Sequence, residues 1–354
     1  MFLGSWRRYL AGMSLLLLCT SPAWGSDELG DPVKRLGNQI FTITTEQGKG
    51  ELPIETSANF AEPHPEITRA IIVIHGKHRN VENYFAAIEK AARHADARKT
   101  TLIIAPQFLN DVDIPAHHLS DAFLHWKRGQ WSAGEPADGP VPIDSFAIVD
   151  QLLQQLTDKA RFPALKQVVL AGHSGGGQFV QHYAIIGHAP DQLAKAGLAL
   201  RFVVANPATY FYFTDERSAA DGNLAPFADA ASCKSFNHWR YGPIHAPATY
   251  IGASSFTDLE KSYFARDVVV LLGTADTDPH HPDLDVSCAG EAQGPNRLER
   301  GKAYFRYEQL QRADAHPHSF WLVPGVGHDD TPMFNSTCGI AALFDVGSCA
   351  TPLR

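Results

Sequence analysis

Residues 167–177 read QVVLAGHSGGG and contain the most informative motif of this sequence. Residues 168–171 form a short apolar run with two valines, which predicts a buried strand. The run breaks into Gly-His-Ser-Gly-Gly, and a helix-compatible segment follows at residues 178–186. A strand, a sharp turn flanked by glycines and a helix are the setting in which G-x-S-x-G forms a nucleophile elbow. The sequence therefore predicts that Ser174 projects from the end of a strand as a nucleophile.

Three more apolar runs rich in β-branched residues predict buried strands. Each leads into residues that a serine nucleophile needs: an oxyanion loop, an acid or a base. Along the chain, the nucleophile is followed by the acid and then by the base. The runs and the residues that follow them are 69–74 before His75-Gly76, 267–273 before Asp276, and 319–323 before His328.

In these four motifs and their order, the chain resembles the α/β-hydrolase superfamily, with its serine esterases and lipases, from about residue 67 onward. The resemblance implies an α/β-hydrolase fold, with a mostly parallel sheet and helices on both faces. It also implies a triad of Ser174, Asp276 and His328. The backbone N–H groups of Gly175 and Lys77 would form the oxyanion hole. Because this fold hosts many chemistries, the resemblance identifies no substrate.

Two of these assignments have open alternatives. Asp278 lies two residues after Asp276 and competes with it as the acid that orients His328. Residues 75–78 read His-Gly-Lys-His, where some lipases and esterases have His-Gly-Gly-Gly, so the second oxyanion donor stays open. His75 itself is interpreted as a structural residue.

A serine nucleophile implies an acyl-enzyme, because its oxygen attacks a carbonyl carbon while a base removes its proton. The sequence therefore predicts a serine hydrolase of carboxylic esters. The first alternative is a serine peptidase or amidase of the same fold, which would need a charged group near the nucleophile; the candidates are Arg79, Arg128 and Arg240. The second is a non-catalytic binding protein on a hydrolase scaffold, but such a protein usually lacks a triad member and none is missing here.

The first 25 residues are interpreted as a cleavable signal peptide. They contain two arginines at residues 7–8, an apolar stretch at 10–19 and an Ala-Trp-Gly cleavage pattern at 23–25. The apolar stretch is about ten residues long, whereas a membrane-spanning helix needs about twenty. We therefore expect a secreted or periplasmic protein with no stable membrane anchor, and one hydrolase domain over residues 26–354.

Composition disfavours two classes of partner. Without the two arginines of the leader, 28 basic residues remain against 38 acidic ones. A net negative surface of this kind argues against nucleic acid and anionic membranes as partners. The expected partner is a small-molecule or polymeric ester, and no cofactor is predicted. The sequence does not indicate the oligomeric state.

Four cysteines remain after the leader, and an even number in an exported chain favours disulfides. Of the three possible pairings, one joins Cys338 to Cys349 across a short loop and Cys233 to Cys288 between two insertions. No C-x-x-C spacing is present, which argues against a structural zinc site. Residues 276–285 combine aspartates and histidines, but two prolines predict a rigid surface loop and one aspartate is needed for the triad. No metal site is predicted.

The residue patterns of three further segments predict their structure. In residues 39–44 and 51–56, residue character alternates along the chain, which predicts an antiparallel hairpin. Residues 110–142 are interpreted as a long loop. Residues 210–264 lack periodicity, are rich in aromatics and lie where α/β-hydrolases often insert a cap. The aromatics predict either packing of this cap against the sheet or an apolar acyl or aryl pocket, and both interpretations stay open.

Overall fold

The computed structural model describes residues 30–219, 222–311 and 318–353, together with Met1, so the predicted signal peptide lies outside the described residues. No helix in this part of the chain has the length and apolarity needed to cross a membrane. The strands are β1 (Gln39–Thr45), β2 (Gly48–Thr56), β3 (Arg69–Ile74), β4 (Thr101–Pro106), β5 (Leu109–Asn110), β6 (His125–Trp126), β7 (Gln167–His173), β8 (Ala199–Ala205), β9 (Glu216–Ser218), β10 (Leu224–Pro226), β11 (Asp267–Gly273) and β12 (Ser319–Val323). The helices are α1 (Val81–His94), α2 (Asp113–Ala116), α3 (Ser145–Gln155), α4 (Gly175–Ile186), α5 (Ala189–Lys195), α6 (Ala248–Ile251), α7 (Phe256–Phe264), α8 (Cys288–Glu291), α9 (Arg297–Gln311), α10 (Asp330–Asn335) and α11 (Thr337–Phe344).

Within the described residues, eight strands form one sheet in the spatial order β1-β2-β4-β3-β7-β8-β11-β12. The predicted hairpin of β1 and β2 is antiparallel, and β2 also pairs antiparallel with β4. From β4 to β12 all neighbouring strands run parallel. The predicted mostly parallel sheet is therefore confirmed.

Helices cover both faces of this sheet. Alternate residues of a strand point to opposite faces, so Val168 and Leu170 of β7 pack into one core while Val169 and Ala171 pack into the other. The first core includes side chains of α3, α4, α5, α7 and α9, and the second includes those of α1, α10 and α11. Because the central strands are buried on both faces, they read as continuous apolar runs in the sequence.

The aromatic segment at residues 210–264 packs against the body of the protein. It follows β8 and contains β9, β10, α6 and α7. Tyr210, Phe211 and Tyr212 are fully buried, and Trp239 belongs to the same core. Of the two interpretations of these aromatics, packing is the one that their burial supports.

The segment predicted as a long loop, residues 110–142, contains short regular elements. They are α2, β6 and a 3₁₀ turn at Gln130–Ala133. The carboxylate of Asp113 accepts hydrogen bonds from Arg79 Nε at 3.0 Å and from the backbone N–H of Asn110 at 2.7 Å. A buried carboxylate needs such donors. The prediction of an irregular loop was incomplete because these tertiary contacts, and not a local pattern, order the segment.

The four cysteines form the pairing that includes the short local loop. Cys338 is bonded to Cys349, with Cα atoms 4.4 Å apart, and Cys233 is bonded to Cys288, with Cα atoms 5.8 Å apart. The first bond joins α11 to the chain that follows it. The second attaches the aromatic segment to α8.

Reducing the disulfides is expected to lower both the thermal stability and the activity of the protein. The Cys338–Cys349 bond joins residues 11 apart in sequence, and such a bond contributes roughly 3 kcal/mol on the chain-entropy account. The helices α10 and α11, which follow His328, would lose this restraint. Thermal unfolding with and without a reductant measures the effect. Four reactive thiols in unreduced protein, or an unchanged melting temperature after reduction, would contradict it.

Candidate active site

Ser174 lies between the end of β7 and the start of α4, which is the position of an elbow nucleophile. Its φ is 59° and its ψ is −124°, a strained conformation for a residue with a side chain. Its backbone N–H donates to the carbonyl oxygen of Ala205 at 3.0 Å. A Cβ atom at Gly172 would overlap the backbone of Gly176, so the turn requires a small residue there.

The side chains of Ser174, His328 and Asp276 form a chain of hydrogen bonds. His328 Nε2 lies 2.9 Å from Ser174 Oγ, and His328 Nδ1 lies 2.8 Å from Asp276 Oδ2. Because an ionised carboxylate only accepts hydrogen bonds, Nδ1 of the neutral imidazole carries the proton. Nε2 is then the acceptor for the Ser174 hydroxyl. The three residues follow β7, β11 and β12, whose carboxyl ends meet at one edge of the sheet.

Of the two candidate acids, Asp276 contacts His328. Asp276 is buried, and its second oxygen, Oδ1, accepts a hydrogen bond from the guanidinium of buried Arg297 at 3.3 Å. Asp278 is exposed, and its carboxylate accepts from the backbone N–H of His280 at 2.8 Å. The Asp276 carboxylate is therefore held between an imidazole and a cation, which fixes its orientation.

The surroundings of His328 lower its pKa. Burial lowers its pKa below the ordinary value, and the charge of Arg297 acts in the same direction, whereas the hydrogen bond to Asp276 raises it. The ring of His173 lies 4.6 Å from the His328 ring, centroid to centroid, and burial lowers the pKa of His173 well below its ordinary value. The His281 ring lies 5.0 Å away on an edge-to-face contact. The imidazole of His328 is thus neutral at neutral pH and packed between two other rings.

The two backbone amides predicted for an oxyanion hole are adjacent to each other. Gly175 is the first residue of α4, and a helix N-terminus favours negative charge. A Cβ atom placed on Gly175 would lie 3.5 Å from the backbone nitrogen of Lys77. In the described part of the chain, neither N–H group donates to a backbone carbonyl. Both amides are therefore available to an oxyanion beside Ser174.

Two residues that the motifs did not mark connect the parts of the site. Asn206 follows β8; its side chain accepts from the N–H of Gly273 at 2.8 Å and donates to the carbonyl of Gly327 at 3.0 Å. It thereby links the acid strand to the loop that precedes His328. Arg297, at the start of α9, supports Asp276 as described. A polar residue at the carboxyl end of a buried strand was a signal for Asn206, whereas nothing local indicated Arg297.

The three arginines named as candidates for the charged group of a peptidase or amidase lie in different places. Arg79 is buried in its ion pair with Asp113. Arg128 and Arg240 line a cavity of about 420 Å³ beside Gly175. Two of the three candidates therefore lie near the candidate nucleophile.

The aspartates and histidines of residues 276–285 contact different partners. Asp283 lies 3.2 Å from His78 Nε2, and Asp285 accepts a hydrogen bond from the hydroxyl of Tyr241 at 2.7 Å. Among residues 30–219, 222–311 and 318–353, no group of three metal-ligating side chains is arranged to hold a metal ion.

Two solved structures resemble this chain over most of its length. Poly(aspartic acid) hydrolase-1 from Sphingomonas sp. KT-1 is 24% identical, with a TM-score of 0.58, over 84% of this chain and 96% of that one. The poly(3-hydroxybutyrate) depolymerase LpqC from Bordetella parapertussis is 21% identical, with a TM-score of 0.56, over 90% of this chain and 92% of that one. The chain has the α/β-hydrolase fold. In such a sheet the carboxyl edge, which here carries Ser174, is where ligands bind. No protein-family model matches the sequence, and no curated protein matches it.

Proposed function

We propose that this protein is a serine hydrolase that cleaves carboxylic esters through an acyl-enzyme, with Ser174 as nucleophile, His328 as base and Asp276 as the acid that orients it. The observation that carries the proposal is the pair of hydrogen bonds on the two nitrogens of His328, 2.9 Å to Ser174 and 2.8 Å to Asp276. Each side chain has the partner that its role requires. A non-catalytic role would not require this arrangement of side chains.

In the acylation step, Ser174 Oγ attacks the ester carbonyl carbon while His328 Nε2 takes the hydroxyl proton. The carbonyl oxygen becomes an oxyanion and accepts hydrogen bonds from the N–H groups of Gly175 and Lys77, which are fixed before the charge develops. His328 then donates its proton to the leaving alkoxide, the C–O bond breaks, and the acyl group remains on Ser174.

Deacylation repeats these steps with water as the nucleophile. His328 removes a proton from the water, the hydroxide attacks the acyl carbon, and the same two amides hold the oxyanion. The bond to Ser174 Oγ breaks, and His328 returns the proton to the serine. The products are a carboxylic acid and the free enzyme.

An amidase or peptidase of the same fold is the second candidate. By their names, one structural neighbour hydrolyses a polyamide, poly(aspartic acid), and the other a polyester. The same side chains can serve both bonds, because His328 can protonate a leaving amine as it protonates an alkoxide.

A panel of 4-nitrophenyl esters and 4-nitroanilides with matched acyl groups tests the proposal. We expect hydrolysis of the esters, with a burst of nitrophenol if deacylation limits turnover. Cleavage of the anilides at comparable kcat/KM would move the assignment to an amidase. Cleavage of neither series, across short, long and polymeric substrates, would refute the proposal.

We further propose that the protein works outside the cytosol. Two disulfides in one chain support this, because such bonds persist in oxidising compartments. The predicted signal peptide would deliver the chain there, and N-terminal sequencing of the exported protein tests cleavage after residue 25.

The pH dependence of kcat/KM is expected to show an acidic limb with its midpoint below pH 6.5. Burial lowers the pKa of His328 from its usual value of 6.5, and only the neutral imidazole can accept the serine proton. Activity should therefore rise as His328 loses its proton and stay level through neutral pH. Rates with a neutral ester between pH 4.5 and 8 measure this. A midpoint at or above pH 7 would contradict it.

A further inference from the structure

A cavity with excess positive charge adjoins the proposed nucleophile. It has a volume of about 420 Å³ and reaches Gly175 and Lys77, the residues that carry the proposed oxyanion donors. Among the described residues on its wall, Lys77, Arg128 and Arg240 are basic and Asp285 is acidic. A pocket of this size accommodates a chain of several carbon atoms.

The one carboxylate that the described residues place on this wall is already engaged by protein donors. Asp285 accepts hydrogen bonds from the Tyr241 hydroxyl at 2.7 Å and from the backbone N–H of Ser287 at 3.0 Å. Lys77 Nζ donates to the backbone carbonyl of Asp283 at 3.2 Å. Within the described residues, neither Lys77 nor Arg240 forms an ion pair with a carboxylate of the protein. The cavity therefore retains positive charge for a ligand.

A second cavity, which has Ser174 in its wall, is more acidic. Its volume is about 280 Å³, and Ser174 and His328 line it. Its acidic side chains are those of Asp283, Asp329 and Asp330, and its other basic or imidazole side chains are those of Lys77, His78, His173 and His281. The hydrogen bond from His78 lowers the pKa of Asp283 to about 2, so this carboxylate is ionised at neutral pH. Charge is thus segregated except at Lys77, which lines both cavities: Arg128 and Arg240 line only the first cavity, and these three aspartates line only the second.

This segregation orients a substrate. His328 must protonate the leaving group, so the leaving group lies on the side of the cavity that contains His328. The acyl group then extends past Gly175 and Lys77 into the basic cavity. An anion in the acyl group would meet Arg240 there, whereas an anion in the leaving group would face the three aspartates.

We propose that the substrate carries a carboxylate on its acyl part, several atoms from the scissile carbonyl, and that Arg240, with Lys77 and Arg128, binds it. The inference rests on the proposed hydrolase function and adds the substrate class. Guanidinium groups suit this role because they hold carboxylates with two parallel hydrogen bonds. Both arginines have positive φ, 23° for Arg128 and 89° for Arg240, so the chain holds their backbone in a costly conformation beside the cavity.

Two matched pairs of esters test the proposal. In the first pair, 4-nitrophenyl hydrogen adipate and its methyl ester differ only by a charge on the acyl group. In the second, 4-(2-carboxyethyl)phenyl hexanoate and its methyl ester differ by a charge on the leaving group, and the ethylene spacer keeps the acidity of the two phenols nearly equal. We expect the wild-type protein to favour the charged member of the first pair by on the order of tenfold in kcat/KM. It should not favour the charged member of the second pair.

Substitutions test whether Arg240 causes the preference for the charged ester of the first pair. Arg240→Gln should remove most of the preference within the first pair, mainly through KM, and Arg240→Lys should restore part of it. Arg93→Gln is the matched control, because Arg93 is half exposed at the end of α1, at the opposite edge of the sheet. Arg128→Gln is made in parallel because Arg128 is exposed, so its replacement disturbs no core packing. Higher ionic strength should weaken the preference.

The outcomes separate this inference from the proposed function. If the two members of the first pair are hydrolysed equally, or if Arg240→Gln and Arg93→Gln behave alike, the carboxylate site is wrong and the hydrolase stands. If no ester is hydrolysed and an active-site phosphonate does not label Ser174, the proposed function fails and the carboxylate site loses its basis with it.

Discussion

Replacing Ser174 with alanine is expected to lower kcat for ester hydrolysis by roughly 10⁵–10⁶-fold, because loss of a serine nucleophile costs about as much as loss of the whole triad. The substitution removes one oxygen whose contact is His328 Nε2. The backbone hydrogen bond from residue 174 to Ala205 is retained. The melting temperature should therefore stay close to that of the wild-type protein.

Ser262→Ala provides the matched control for this change. Ser262 is an exposed serine on α7. Its replacement should change neither activity nor stability. Ser174→Ala protein that unfolds at the wild-type temperature and keeps wild-type activity would refute the assignment of the nucleophile.

Asp276→Asn is expected to lower kcat by about 10⁴-fold, because the amide would favour the wrong tautomer of the His328 imidazole. Asp278→Asn is the matched control and should change kcat little. The Asp278 carboxylate is exposed and accepts a hydrogen bond from the backbone N–H of His280. Steady-state kinetics of the two variants distinguish these roles. The reverse pattern would assign the acid to Asp278.

Asp276→Asn also leaves the buried Arg297 without its counter-ion, and breaking a buried ion pair destabilises a protein by about 3–5 kcal/mol. A second variant, Asp276→Asn with Arg297→Met, removes both charges and replaces the guanidinium with an apolar side chain of similar length. It should recover stability and not activity. Recovery of wild-type activity in this double variant would contradict an orienting role for the Asp276 carboxylate.

The sequence predicted the fold well because the parallel strands are buried on both faces. Runs such as residues 168–171 and 268–272 are continuous and apolar, so their ends could be located and the residues after them identified. Because Ser174, Asp276 and His328 each follow such a strand, the sequence also predicted that they lie at one edge of the sheet. For the cysteines, a separation of only 11 residues made one local pairing plausible, and that pairing is the one observed.

The features that the sequence did not predict depend on contacts between distant segments. Arg297 and Arg300 are buried although α9 is rich in charged residues, a composition that is typical of a solvent-exposed helix. Arg297 is paired with Asp276 across 21 residues, and no local pattern encodes that contact. The basic cavity likewise combines side chains from three separate segments, at Lys77, Arg128 and Arg240.

Labelling with a fluorophosphonate shows whether Ser174 is an activated nucleophile, because this reagent phosphonylates a serine only when a base and an oxyanion hole activate it. The reagent is incubated with the wild-type protein, with Ser174→Ala and with heat-unfolded protein, and the label is mapped by peptide mass spectrometry. We expect one label per chain, on Ser174, and none on the variant or the unfolded protein. A folded wild-type protein that takes no label, or takes it at another serine, would contradict the account.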